Sequence, residues 1–229
     1  MQLPPLIEAT FVHRPNRFTA GVRLADGGVS RAYVPNTGRL TGALYPGGRV
    51  WLAPAEDPAR KTPYTLVLTE LPGGGLCSVN ASLANDLFAE AVQAGALAMF
   101  PYPGAAREVQ VGRSRLDFKL SSGDKICWVE VKSVTYVTDG VGMFPDAPTA
   151  RGRRHLQELA KLAARGDRAC AVFVAQREDA EKFMPFEAVD PDFTEILCQV
   201  HDAGVEVIAY RCDVSLEAVT ITEEIPVNL

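Results

Sequence analysis

Several things are scarce in this chain, and each scarcity removes a class of function. The five cysteines are odd in number and scattered, Cys127 and Cys170 lie in apolar strand-like runs where a free thiol packs as a small hydrophobe, and there is no CxxC pair, so a zinc ribbon and a thioredoxin-like site are disfavoured. Cys198 and His201 stand three apart, but no second ligand pair accompanies them. No apolar run approaches the ~20 residues that a membrane helix needs. The opening Met1-Gln-Leu-Pro-Pro-Leu-Ile-Glu has neither the basic start nor the apolar core of a secretory leader, so the expected location is cytoplasmic, with no membrane partner. Three histidines give no Ser-His-Asp arrangement, which argues against acyl hydrolysis. Aromatic residues are 8% of the chain and do not cluster, so no sugar-stacking platform is indicated. Basic residues are not in excess either. The net charge is −5, whereas affinity for nucleic acid comes largely from cations meeting phosphates. A nucleic-acid partner would therefore require positive charge concentrated locally, and two places qualify: Arg113 with Arg115, and Arg151 with Arg153 and Arg154.

What is present divides near residue 80. Residues 1–80 read as short strands at Ile7–His13, Phe18–Leu24, Val29–Val34, Arg49–Leu52, Tyr64–Leu71 and Leu76–Val79, separated by glycine-rich turns such as Asp26-Gly-Gly28 and Pro46-Gly-Gly48. Strands without an intervening helix predict a small closed barrel, and the five-stranded OB kind fits. The triple glycine at 73–75 lacks the Lys-Ser/Thr of a phosphate loop and reads as a hairpin turn. From Ser82, a plausible cap, apolar residues recur at helical spacing (Leu83, Leu87, Ala91). Strands follow around Glu108–Val111, Ser114–Leu120 and Lys125–Ser133, the last two joined as a hairpin through Ser121-Ser-Gly-Asp124. Thr138–Pro148 reads as a loop. A helix is expected over about Thr149–Ala164, a doubly buried strand at Ala169–Ala175, a helix from about Asp192 to Ala203, and a strand at Val205–Arg211. The fold class is thus mixed α+β, with a barrel over 1–80 and an α/β sandwich over 81–229.

The most informative residues are Asp117, Glu130 and Lys132. A Glu-x-Lys triplet alone is weak, since about one is expected by chance at average composition in a chain of this length. Its setting is what carries weight: the triplet closes an apolar strand one hairpin after a strand bearing a carboxylate between Leu116 and Phe118. Side chains two apart share a face of a strand, so Glu130 and Lys132 project together and the neighbouring strand can place Asp117 beside them. Two carboxylates and an ammonium would hold a hard divalent cation and steer a water or a phosphate. The competing reading is a solvated sheet face with a cross-strand ion pair. Glu108 is a candidate third carboxylate, or an exposed strand residue beside Arg107. Arg151, His155 and Glu158 fall on one helix face, with Arg151 at the helix start, where backbone N–H groups favour phosphate; the alternative is a polar face with an Arg–Glu pair. Asn36-Thr-Gly-Arg39 reads as a turn, from which Arg39 could reach a ligand.

Taken together, Pro35-Asn-Thr-Gly-Arg39, Ser114-Arg-Leu-Asp-Phe118, Val129-Glu-Val-Lys-Ser-Val-Thr135, Phe144-Pro-Asp-Ala-Pro-Thr-Ala-Arg-Gly152 with His155-Leu156, and Gly204-Val-Glu-Val-Ile-Ala-Tyr210 resemble the sugar fermentation stimulation protein A family over nearly the whole chain. The resemblance implies an N-terminal OB-like domain, a C-terminal α/β/α domain similar to the PD-(D/E)xK restriction-endonuclease-like nucleases, DNA binding with little sequence preference, and a part in regulating maltose metabolism. Carried over by motif, the nuclease signature falls on Asp117, Glu130 and Lys132, with Ser-Arg-Leu-Asp in place of Pro-Asp. The expectation is then a Mg²⁺ (or Mn²⁺) phosphodiesterase site in which Asp117 and Glu130, helped by the Val131 carbonyl and Glu108, hold the metal. Arg39, Arg115, Arg151 and His155 would position the nucleic acid. DNA is the expected partner, with RNA left open, and a homodimer would be required for symmetric cutting of two strands. The alternative is a DNA-binding regulator of sugar metabolism that does not cut.

Overall fold

The computed structural model describes residues 1–57 and 59–229. Six strands come first: β1 (Ile7–Asn16), β2 (Thr19–Leu24), β3 (Val29–Tyr33), β4 (Arg49–Pro54), β5 (Tyr64–Glu70) and β6 (Leu76–Ser78). Strand β1 pairs with β2 on one edge and β4 on the other, β5 lies beyond β4, and a short parallel pairing of β3 with β5 closes the first five strands into an OB barrel. A single strand can serve two neighbours on a tight curve because its register slips between Phe11 and His13 and again before Asn16; such bulges bend a strand. Gly21 faces that bend. A Cβ there would stand 2.7 Å from His13 Cε1, so no larger residue fits without movement. Alternating inward positions, Ala20 and Val22, Val50 and Leu52, fill the barrel with small and branched side chains.

The rest of the chain adds α1 (Leu83–Gln93), β7 (Gly104–Val111), β8 (Ser114–Ser122), β9 (Lys125–Val134), β10 (Tyr136–Thr138), β11 (Val141–Phe144), α2 (Ala150–Ala163), β12 (Arg168–Ala175), β13 (Lys182–Pro185), α3 (Pro191–Asp202), β14 (Glu206–Val214) and β15 (Val219–Ile225). Six of these strands form a mixed sheet in the order β15-β14-β12-β9-β8-β7, parallel at β9, β12 and β14 and antiparallel towards both edges. One face is covered by α1 together with Trp51, Val67 and Leu68 of the barrel; the other is covered by α2 and α3. This double cover explains why Ala169–Ala175 is apolar at every position. Among the described residues no helix is long and apolar enough to cross a membrane.

Four local outcomes differ from the sequence reading. The glycine- and proline-rich stretch after Thr138 is a β10–β11 hairpin, and β11 pairs in parallel with β13 some forty residues later, a long-range contact that local pattern does not announce. Strand β15 also went unforeseen. Ser82 makes no side-chain cap; Asn80 Oδ1 accepts from the Ser82 N–H and hydroxyl instead. Helix α3 begins at Pro191, with Asp190 as a capping residue that accepts from the Phe193 N–H.

The barrel is stitched to the sandwich on two sides. The Ser78 N–H donates to the Gln176 carbonyl at 3.0 Å, while the Gln176 side chain donates to the Asn80 carbonyl and to Ser133 Oγ. Arg177, held by Asp179, donates to the carbonyls of Gly42 and Thr135. At the other side residues 1–3 run along the start of β15: Leu3 donates to Glu217, and Val219 donates to Met1. The chain therefore enters the barrel from the sandwich and returns to it.

Candidate active site

Strands β8 and β9 are paired from Ser122–Lys125 through Phe118–Val129. One step further along the same register sets Asp117 opposite Glu130. There the regular ladder ends, and the Val131 N–H donates to Asp117 Oδ2 at 2.8 Å. In an extended strand the N–H and C=O of one residue point to the same side, so the Val131 carbonyl faces the Asp117 side as well. Asn85, in the first turn of α1, donates to Asp117 Oδ1 at 3.1 Å.

Glu130 is 2% exposed. Two groups converge on its Oε1: the Lys132 ammonium, from the same strand face, and His155 Nδ1 from α2. Arg151 Nε, one turn earlier, donates to His155 Nε2 at 3.4 Å. Glu130 Oε2 has no hydrogen-bond partner and is buried. A buried carboxylate oxygen without a donor is costly unless a cation or water completes it.

The electrostatics separate the two carboxylates. Burial alone would raise Glu130, but the Lys132 charge and the His155 hydrogen bond more than reverse it and hold the group at about 2. Asp117 moves the other way. Burial, with repulsion from Glu130 opposite, raises it despite the opposing pull of Lys132, the Val131 N–H and Asn85. Glu130 is a fixed anion; Asp117 is the member whose charge depends on what arrives beside it.

These groups open into a cavity of about 610 Å³ between the barrel and the sandwich. Asp117, Glu130 and Lys132 line it on the sandwich side; Arg17, Asn36 and Thr37 line it on the barrel side. The barrel loop is held in place by Asp146, which accepts from the Leu40 N–H at 3.0 Å. A Cβ at Gly38 would lie 2.3 Å from that carboxylate, so glycine is required for the approach. Arg14 locks the loop from behind by donating to the carbonyls of Asn36 and Gly38.

The structure brings Asp117, Glu130, Lys132 and the Val131 backbone together, with Arg115 and Arg151 at the rim. His155 lies behind Glu130, buried and bonded to it, where the sequence suggested a group facing water or phosphate. Glu158 of the same face pairs with Lys161, and Arg151 makes no ion pair with it. Glu108 is not gathered in. Its place in the β7–β8 register is opposite Asp117, but its backbone is left-handed (φ 54°), its side chain is 64% exposed, and its partner is Arg115 at 3.4 Å. Arg39 is exposed and contributes only its carbonyl, to Arg14; Arg17 lines the cavity in its place. Asn85 was not singled out from sequence, although its spacing three residues after Ser82 puts it on the exposed side of the first turn of α1. Among the described residues no group of three or more His, Cys, Asp or Glu side chains is placed to hold a metal. A two-carboxylate site is the arrangement that suits Mg²⁺, which keeps several waters and takes one or two carboxylates together with substrate phosphate.

Comparison with known proteins gives concordant matches. The family model described as the sugar fermentation stimulation protein RE domain matches residues 82–218, and the SfsA N-terminal OB domain model matches residues 12–79. A sugar fermentation stimulation protein homolog of Moorella thermoacetica is 48% identical over 233 residues, with all of both chains covered. A homolog of Geobacter metallireducens is 42% identical over the same extent. The solved structure of Pyrococcus furiosus SfsA in complex with Ca²⁺ superposes with a TM-score of 0.90 at 32% identity, covering 100% of this chain and 98% of that one.

Proposed function

The chain belongs to the sugar fermentation stimulation protein (SfsA) family, and from that premise we propose that it is a nucleic-acid-binding protein whose cleft carries a divalent-cation phosphodiesterase site. The observation that carries the reading is Glu130: a carboxylate held ionised in the interior, both its donors on one oxygen and the other without a partner, on the residue that the strand register sets opposite Asp117. The P. furiosus relative was solved with Ca²⁺, a hard cation of the class such oxygens suit. The residues fit Mg²⁺ or Mn²⁺ held by Asp117, Glu130 and the Val131 carbonyl, and when bound the metal supplies an acidified water and neutralises charge on the phosphate.

The chain's own groups do the rest. Lys132 places its ammonium at the mouth of the carboxylate pair, where it orients a water and stabilises charge that grows on the phosphoryl oxygens. His155 fixes the orientation of Glu130 from behind. Arg115 and Arg151 meet the flanking backbone, and the barrel loop at Asn36–Gly38 forms the facing wall.

The test is cleavage of single- and double-stranded DNA and of RNA with Mg²⁺, Mn²⁺ or EDTA. Metal-dependent cutting that Lys132→Ala abolishes, with affinity for nucleic acid retained, is the expected result. A protein that shifts DNA but cuts nothing with either metal would reduce the reading to a binding regulator of sugar metabolism, the role its family name suggests.

A further inference from the structure

Beside the carboxylate cavity lies a second one of about 360 Å³, lined by Arg113, Arg115, Arg151, Arg154, Gln110 and His155. Arg115 and Arg151 line both, so the two are neighbours. Four exposed arginines line one hollow of a chain whose net charge is −5, a local concentration of positive charge that attracts an anion. The protein itself supplies little. Among the described residues Arg113, Arg151 and Arg154 make no ion pair, and Arg115 meets only the exposed Glu108 at 3.4 Å. Glu158, whose carboxylate reaches Gly112 of the β7–β8 turn, is engaged by Lys161 at 2.9 Å. Arg153, pointing to the other side of α2, shows the contrast: it is paired with Asp190 at 2.6 Å.

We infer that this arginine hollow is a second phosphate subsite, which takes the internal phosphodiester next along the strand from the one lying at Asp117 and Glu130. The assignment rests on the nucleic-acid reading above and adds a position to it: Arg113 and Arg154, on the β7–β8 turn and on α2, grip the backbone on the side away from the barrel. Planar guanidinium groups suit this because each can donate two parallel hydrogen bonds to one phosphate.

The test separates the subsite from the reading it rests on. Binding of a fluorescent oligonucleotide is followed by anisotropy in EDTA, where nothing is cut, over a range of salt. The variant is Arg113→Gln with Arg154→Gln, and the charge-matched control is Lys125→Gln with Arg165→Gln, exposed at the far ends of β9 and α2. Loss of one phosphate contact lowers the slope of log K against log salt by ~0.7–0.9, so the arginine variant is expected to lose about that much from the slope and the control nothing. A single methylphosphonate linkage, walked along the strand, should reach one position that weakens the wild type several-fold and leaves the arginine variant indifferent. Equal slopes for wild type and arginine variant, or an equal loss in the control, overturn the subsite while leaving the nucleic-acid reading intact. A response confined to strands with a 5′-phosphate also overturns it, because the hollow would then take an end and not an internal linkage. Wild type that binds no nucleic acid at any salt overturns both.

Discussion

Asp190 and Glu130 are carboxylates buried to the same depth, 3% and 2% exposed, and they could hardly be used more differently. Asp190 is saturated. Its Oδ1 accepts from the Phe193 N–H and Arg153, and its Oδ2 accepts from the Thr149 N–H at 2.7 Å, so one side chain caps α3 and pins the start of α2. Glu130 has donors of comparable strength on one oxygen only. Both lie in the layer around α2, and both have cationic neighbours. The difference teaches that burial and charge pairing do not identify a site by themselves; what sets Glu130 apart from Asp190 is its unfilled oxygen.

The contrast can be broken by experiment, and the largest effect belongs to Asp190. Asp190→Ala removes a helix cap and leaves Arg153 without its partner, so it should cost about 3–5 kcal/mol and lower the melting temperature by roughly 10 °C. A loss under 1 kcal/mol in thermal or denaturant unfolding would show that the saturated carboxylate is not architectural. Next in size is the response to metal. Mg²⁺ or Mn²⁺ at a hundred times its dissociation constant should stabilise the wild type by ~2.7 kcal/mol. Glu130→Gln should lose that increment while the weakened Asp190→Ala keeps it; an increment surviving in Glu130→Gln places the metal elsewhere.

The smallest effect concerns Asn85. Its hydrogen bond is one of the influences that lower the Asp117 pKa, so Asn85→Ala should raise that already elevated value further. Metal requires the ionised carboxylate, and the pH at which metal binding is half-maximal should therefore move upward. At mildly acidic pH the affinity should fall about 10-fold, as is usual when a group that orients a ligand is removed. A titration monitored by calorimetry that shows no displacement, or displacement downward, would mean that Asn85 does not tune Asp117.

How far the site could be read in advance follows from the range of the interactions that make it. Asp117, Glu130 and Lys132 were legible because a two-residue period and a short hairpin settle which side chains meet, and both are local facts. The barrel was legible for the same reason, strand after strand with turns between. Glu108 was not, because its register position opposite Asp117 is undone by a left-handed backbone that glutamate seldom adopts. Asn85 and Arg17 reach the cavity only through packing of α1 and of the barrel against the sandwich, which no local pattern encodes. Asp190, next to a proline at a helix start, carries a capping signal that a helix expected from about Asp192 passes over. The β10–β11–β13 sheet depends on partners some forty residues apart.

The double attachment of the barrel has a mechanical consequence. A domain joined by one linker can swing, and its cleft can close on what enters. Here the chain arrives from the β15 edge and departs through Ser78 and Gln176, and the Asn36–Leu40 loop is pinned to Asp146 across the gap. Among the described residues both walls are tied in place, so the cleft is held like a caliper at its present opening, and widening it would have to break those ties.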